Sequence, residues 1–238
     1  MVFLPQCHST NDELVQMTRK SNEPEGTLVY TDDQQMGKGQ RGNAWITEPG
    51  KNILMSVLLR PNFLSPSNQF YLNLISGLAI VDTLKSHVTS EVLLKWPNDV
   101  FINGNKISGV LIENNLRGNR LESAVVGIGI NVNQQGFRIN TATSLVMETN
   151  IEFDRNELIE TLLCRLEKWY LQLKNGSTTY ILDEYHKLLM WRGEVKIFKS
   201  KNEEFEGEIV GIDQHGKLAI NQDGNLRTFG IKEVEFMR

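Results

Sequence analysis

Between Val92 and Val132 the chain runs through a series of strand-like stretches: Val92–Trp96 continuing into Asp99–Ile102, then Lys106–Asn114, then Leu121–Val132. Asn103-Gly104 separates the middle two, and both residue types tolerate the positive φ that a tight hairpin turn demands. Neighbouring strands joined by so short a turn are antiparallel. Helical spacing appears on either side. Phe70, Leu74, Leu78, Val81 and Leu84 recur at that period between Ser67 and His87, which predicts an amphipathic helix with one packed face. Further helices are expected over Arg155–Lys174 and Thr178–Met190. Thr10-Asn11-Asp12-Glu13 reads as a capping box opening a helix through about Lys20, with Leu14 and Met17 facing inward. With strands at Thr27–Thr31 and Asn52–Arg60, the expectation is an α+β layer: a mixed, mostly antiparallel sheet covered by helices on one side.

After Trp191 the texture changes to short β-rich pieces (194–199, 206–212, 217–221, 227–231 and 234–237) separated by turns, which predicts a small β-barrel. The chain therefore divides into residues 1–190 and residues 191–238. Its 238 residues carry 25 Lys and Arg against 29 Asp and Glu, a net charge of −4. That balance argues against unspecific DNA binding, which needs a basic surface to release counterions from phosphates. Cys7 and Cys164 stand in unrelated contexts, so neither a disulfide framework nor a cysteine metal site is expected. No signal peptide or membrane span is visible, and a cytoplasmic location is the simplest expectation.

Three stretches carry candidate chemistry. Gly37-Lys38-Gly39-Gln40-Arg41-Gly42 matches G-x-G-x-x-G, but Asn43–Gly50 after it does not read as the helix that a dinucleotide-binding turn opens. What remains is a glycine loop with two cations, suited to wrapping an anion with backbone N–H groups, or else an ordinary surface turn with solvated charges. Lys95-Trp96-Pro97-Asn98-Asp99 sets a cation, an amide and a carboxylate at a strand end. The Asn103-Gly104 reversal then brings Lys106 towards Asp99, as a shared pocket or as a plain cross-strand ion pair. Gly109, Gly127 and Gly129 leave side-chain-free positions inside apolar strands, the mark of a close approach or of a bulge. Trp45 either stacks on a flat ligand or packs in the core.

Taken in order, Ser9-Thr10-Asn11, the glycine loop, Lys95–Asp99, Lys106-Ile107-Ser108-Gly109 and Gly127-Ile128-Gly129-Ile130-Asn131 resemble the motifs of the biotin–protein ligases, also called biotin–[acetyl-CoA-carboxylase] ligases. The resemblance spans nearly the whole chain. It implies a catalytic domain of the class II synthetase-like fold followed by an SH3-like barrel. It also implies a two-step reaction, in which ATP carrying Mg²⁺ activates biotin to biotinyl-5′-AMP and a lysine of a biotin carboxyl carrier domain takes the biotin. No protein-held metal site is implied, nor a DNA or membrane partner, and a homodimer is a further partner state to consider.

By the same resemblance Lys106 is the catalytic lysine bridging biotin carboxylate and α-phosphate, Lys38 is the loop cation, Arg41 assists, and Asp99 orients or deprotonates the acceptor lysine. Ser9, Thr10, Asn11 and Gln34 correspond to polar contacts with biotin. Gly37, Gly39 and Gln40 correspond to the loop that closes over it, disordered when empty, and Gly109, Gly127 and Gly129 make room for its rings. Trp45 corresponds to a residue packing on adenine, and Asn98 and Asn131 lie near phosphate and ribose. Two departures stand out. Family loops often read G-R-G-R-R-G, whereas Lys38 and Gln40 occupy two of those arginine positions, leaving one loop cation fewer. Only eight residues precede Ser9, so a stand-alone ligase without a helix-turn-helix domain is expected. Lipoate–protein ligase and a non-catalytic binding module are the alternatives.

Overall fold

The computed structural model describes residues 1–201 and 203–237; the side chain of Arg41 lies outside the described residues. Seven strands form one sheet: β1 (Val2–Cys7), β2 (Leu28–Gln34), β3 (Ile53–Leu59), β4 (Val92–Lys95), β5 (Asp99–Ile102), β6 (Asn105–Arg117) and β7 (Arg120–Ile130). Their spatial order is β1-β2-β3-β7-β6-β5-β4. Only the β1–β2 pair is parallel. The Asn103-Gly104 turn joins β5 to β6, with φ of 50° and 76° as its two-residue length requires.

β1 escaped the sequence reading. Pro5 interrupts its apolar pattern, and it is tolerated because β1 is the sheet's edge. At the centre, β3 is buried at every position, since helices cover both faces of the sheet there. One face packs against α2 (Tyr71–Leu84), which α4 (Arg155–Lys174) and α5 (Thr178–Leu188) cover in turn. On the other face, Leu14 of α1 (Thr10–Lys20) meets Val29, Leu58 and Val125. The expectation of one-sided cover is corrected by that second cluster.

α2 also departs from the amphipathic pattern expected of it. It is buried nearly all round, because α4 and α5 take the side that would otherwise face water. Its two buried hydroxyls are satisfied within the helix, Ser76 donating to the Leu72 carbonyl and Thr83 to that of Ala79. A fifth helix, α3 (Leu145–Thr149), follows β7 and is capped by Ser144.

The last strands, β8 (Val195–Ser200), β9 (Glu203–Ile212), β10 (Leu218–Gln222), β11 (Asn225–Phe229) and β12 (Glu235–Phe236), form a separate antiparallel sheet in the order β11-β10-β9-β8-β12. It is bonded to the main body through named groups. Trp96 Nε1 donates to the Gly216 carbonyl at 2.9 Å, and Ile212 N to His186 Nε2 at 2.9 Å. Among the described residues no helix is long and apolar enough to cross a membrane.

Candidate functional site

The predicted residues converge on a cleft lined by the glycine loop, the face of β6 and β7 around the strand glycines, and the start of α1. Its walls include Ser9, Asn11, Gln34, Lys38, Gly39, Gln40, Trp45, Asn98, Lys106, Gly109, Gly127 and Gly129. Thr10, Gly37, Asp99 and Asn131 are not among the residues that line it.

Lys106 stands where β6 begins, with its backbone gripped from both directions: its N–H donates to the Thr141 carbonyl at 2.8 Å, and its carbonyl accepts from Thr143 N at 2.9 Å. The ammonium is 2.7 Å from Asp99 Oδ1 and 5.3 Å from the centre of the Trp45 ring. A register shift between Val100 and Phe101 sets Lys106 opposite Phe101 and leaves Asp99 opposite Gly109, so the ion pair crosses the ladder diagonally. The proximity that the turn arithmetic predicted is met.

The glycine loop is a closed hairpin. Gly39 N donates to the Asn43 carbonyl at 2.7 Å and Trp45 N to the Gly37 carbonyl at 2.8 Å, with a single 3-10 turn over Gln40–Gly42 at the tip. This agrees with the rejection of a dinucleotide-binding turn, since no α-helix opens here. Gly37 is required by close approach: a Cβ there would run into the Trp45 carbonyl oxygen and the Gln34 side chain. In the ladder opposite Ala44, Lys38 Nζ reaches Asp12 Oδ1 at 2.7 Å, and this contact raises the ammonium pKa above its ordinary value.

The hairpin lays the Trp45 indole across the strand glycines. A Cβ on Gly129 would lie 2.7 Å from Trp45 Nε1, and one on Gly109 would lie 3.3 Å from Cζ3, so two of the predicted gaps hold this ring. The third, at Gly127, holds the side chain of Asn11. About 50 Å³ of space remains in this partly open cleft. Trp45 Nε1 is buried with no hydrogen-bond partner among the described residues, an uncommon state for an indole N–H.

The start of α1 is a polar network. Ser9 is the N-cap residue and Thr10 the first helical one, which corrects the capping-box assignment by one position. The reason lies in a distant partner. Gln34 Oε1 accepts from the Thr10 N–H at 2.9 Å and from its hydroxyl at 3.2 Å, so Thr10 is not free to cap. Ser56 donates to Asn11 Oδ1 at 2.6 Å and lies 2.8 Å from Thr10 Oγ1, while Asn11 Nδ2 donates to Glu113 Oε2 at 2.8 Å. Asn98 Nδ2 bonds the Val110 carbonyl at 2.6 Å, at the cleft wall. Asn131 is turned away, its Nδ2 bonded at 2.9 Å to the carbonyl of Thr143, the segment that grips Lys106.

Residues 3–131 match the model of the biotin/lipoate A/B protein ligase family. The chain belongs to that family. Among its relatives, a bifunctional ligase/repressor BirA of Bacillus spizizenii is 31% identical over 96% of this chain and 74% of its own. A biotin–[acetyl-CoA-carboxylase] ligase of Paracoccus denitrificans is 28% identical over 98% of this chain and 99% of its own. The biotin protein ligase of Aquifex aeolicus, solved with biotin and ATP, superposes with a TM-score of 0.84 at 28% identity, covering 100% of this chain and 98% of that one.

Within this ligase fold, sequence reasoning passed over Asp12, Ser56 and Glu113. Asp12 was read only as part of a helix start, although an acid three residues past a serine cap is placed to face a neighbouring loop. Ser56 sits in an apolar strand, where a hydroxyl requires a partner. Glu113 carried no local signal.

Proposed function

We propose that this protein is a biotin–protein ligase that activates biotin with ATP and transfers it to a lysine of a biotin carboxyl carrier domain. One observation carries the reading: Lys106, braced by Thr141, Thr143 and Asp99, presents its ammonium to the cleft that the Lys38 loop and Trp45 close. In the first step a biotin carboxylate oxygen bonds to the α-phosphorus of ATP and the bond to the β-phosphate oxygen breaks, releasing pyrophosphate. Charge on the phosphoryl group is what must be stabilised, and cations fixed in advance do this without reorganising during the reaction. Lys106 supplies one such charge beside the carboxylate, and Lys38 supplies the second from the loop. Mg²⁺ would enter on the phosphates of ATP, adding to the positive charge that the two lysines supply.

In the second step the carrier lysine's amine attacks the mixed anhydride, forming the amide, losing a proton and expelling AMP. Asp99 keeps Lys106 aimed, and its partly open position suits it to orient the incoming amine. Closing the hairpin over the adenylate excludes the water that would hydrolyse it. Residues 1–190 form the catalytic unit and residues 191–238 an SH3-like barrel docked on it. The testing experiment is biotin-dependent exchange of pyrophosphate into ATP with Mg²⁺ present, run beside lipoate. Exchange with biotin alone is expected; none with biotin rejects the reading, and exchange with lipoate transfers the chain to the family's other branch.

A further inference from the structure

Lys38 is held by a residue to which the family resemblance gives no role. Asp12 lies in the first turn of α1, a helix anchored by Leu14 in the core and by the Thr10, Asn11, Ser56 and Gln34 network. The hairpin it touches is less restrained. The backbone bonds of residues 37–45 close on one another, and Lys38 sits between two glycines that impose little conformational preference. Among the described residues, Lys38–Asp12 is the ion pair that ties this hairpin to the body of the protein. Moving Lys38 moves the strand pairing with Ala44 and, one residue on, the Trp45 ring over Gly109 and Gly129.

We propose that Asp12 is a positioning residue of the glycine hairpin, holding the Lys38 ammonium at the cleft and thereby setting where the hairpin and Trp45 close. The proposal rests on the ligase reading above. An ammonium has three N–H donors, so one given to Asp12 leaves two for the anionic ligand. The pair is too exposed, at 48% and 34% of its side-chain surfaces, to matter much to folding. Its effect belongs to ligand retention, because a cation already aimed loses less freedom when the ligand arrives.

The test compares wild type, Asp12→Asn, Asp12→Glu, Lys38→Met and the Asp12→Asn/Lys38→Met double variant in biotin-dependent pyrophosphate exchange and in release of preformed biotinyl-adenylate. Asp12→Asn is expected to speed release on the order of tenfold and to raise the KM for biotin, with kcat changing far less and the melting temperature within about 2 °C of wild type. Asp12→Glu is expected to recover most of the retention. In the Lys38→Met background the Asp12 change is expected to add nothing, since the two residues act as a unit. Release and KM within twofold of wild type in Asp12→Asn would overturn the proposal, as would additive effects of the two substitutions or a loss that simply follows a lowered melting temperature. If wild type shows no biotin-dependent exchange, the ligase reading itself falls; if wild type exchanges and Asp12→Asn matches it, only the role of Asp12 does.

Discussion

Lys106 shows how this chain fixes a long, mobile side chain type. Its backbone is bonded on both sides to residues 141–143, its ammonium to Asp99, and the Trp45 ring stands over it. Lys106→Ala removes the charge and leaves that frame intact, because Asp99 is open enough to be rehydrated. Adenylation is expected to fall by on the order of 10²-fold or more, the scale for losing one preorganised charge-stabilising group, while the melting temperature stays close to wild type. Pyrophosphate exchange beside a thermal melt checks both halves, and near-normal turnover would remove Lys106 from the chemistry. The pairing of Lys106 with Asp99 was legible because a two-residue turn fixes register arithmetically. The contacts of Asn11 and Thr10 were not, because each side chain bonds a group far away in sequence, as Asn11 does with Glu113 and Thr10 with Gln34.

Among the elements, legibility followed how locally each was determined. α4 occupies the predicted Arg155–Lys174 because its cap, Asp154, accepts from the N–H groups of Asn156 and Glu157, and its apolar stripe lies in one stretch of chain. The character of α2 was misjudged because what covers its outer side arrives seventy or more residues later. The α5–β9 contact is a third case. His186 on α5 accepts the Ile212 N–H, so this ring nitrogen must stay unprotonated for the contact to hold. Burial, with Arg192 nearby, lowers the His186 pKa below its ordinary 6.5, while Asp183 opposes the shift. The unfolded chain then binds the proton more readily than the folded one, so stability contributed above pH 6.5 is lost as the pH falls from 6.5 through the folded pKa. Thermal melts from pH 7.5 to 5 should show a decline in that interval that is smaller in His186→Gln, whose amide oxygen accepts the same bond without titrating. An equal decline in both proteins would assign the pH dependence elsewhere.

At the scale of the whole molecule, the change of texture after Trp191, which predicts a small β-barrel, falls where a separate antiparallel sheet follows, and the two parts share one continuous apolar core. Phe198, Phe205, Ile209 and Leu218 belong to the same buried cluster as Phe70, Leu94 and Trp96. The joint is also built on close approach. Gly216 carries φ of +78° and its α-carbon lies directly against the Phe70 ring, a place no larger residue fits, while its carbonyl accepts from Trp96. The full chain is expected to unfold in a single calorimetric transition. Trp96→Phe strands the buried Gly216 carbonyl and leaves a void, at a cost of about 2–3 kcal/mol, which in a chain of this length lowers the melting temperature by roughly 4–12 °C. If the core is shared, that entire transition shifts and remains single. Two resolved transitions in wild type, or a shift confined to one of two in the variant, would show that the C-terminal sheet folds on its own account.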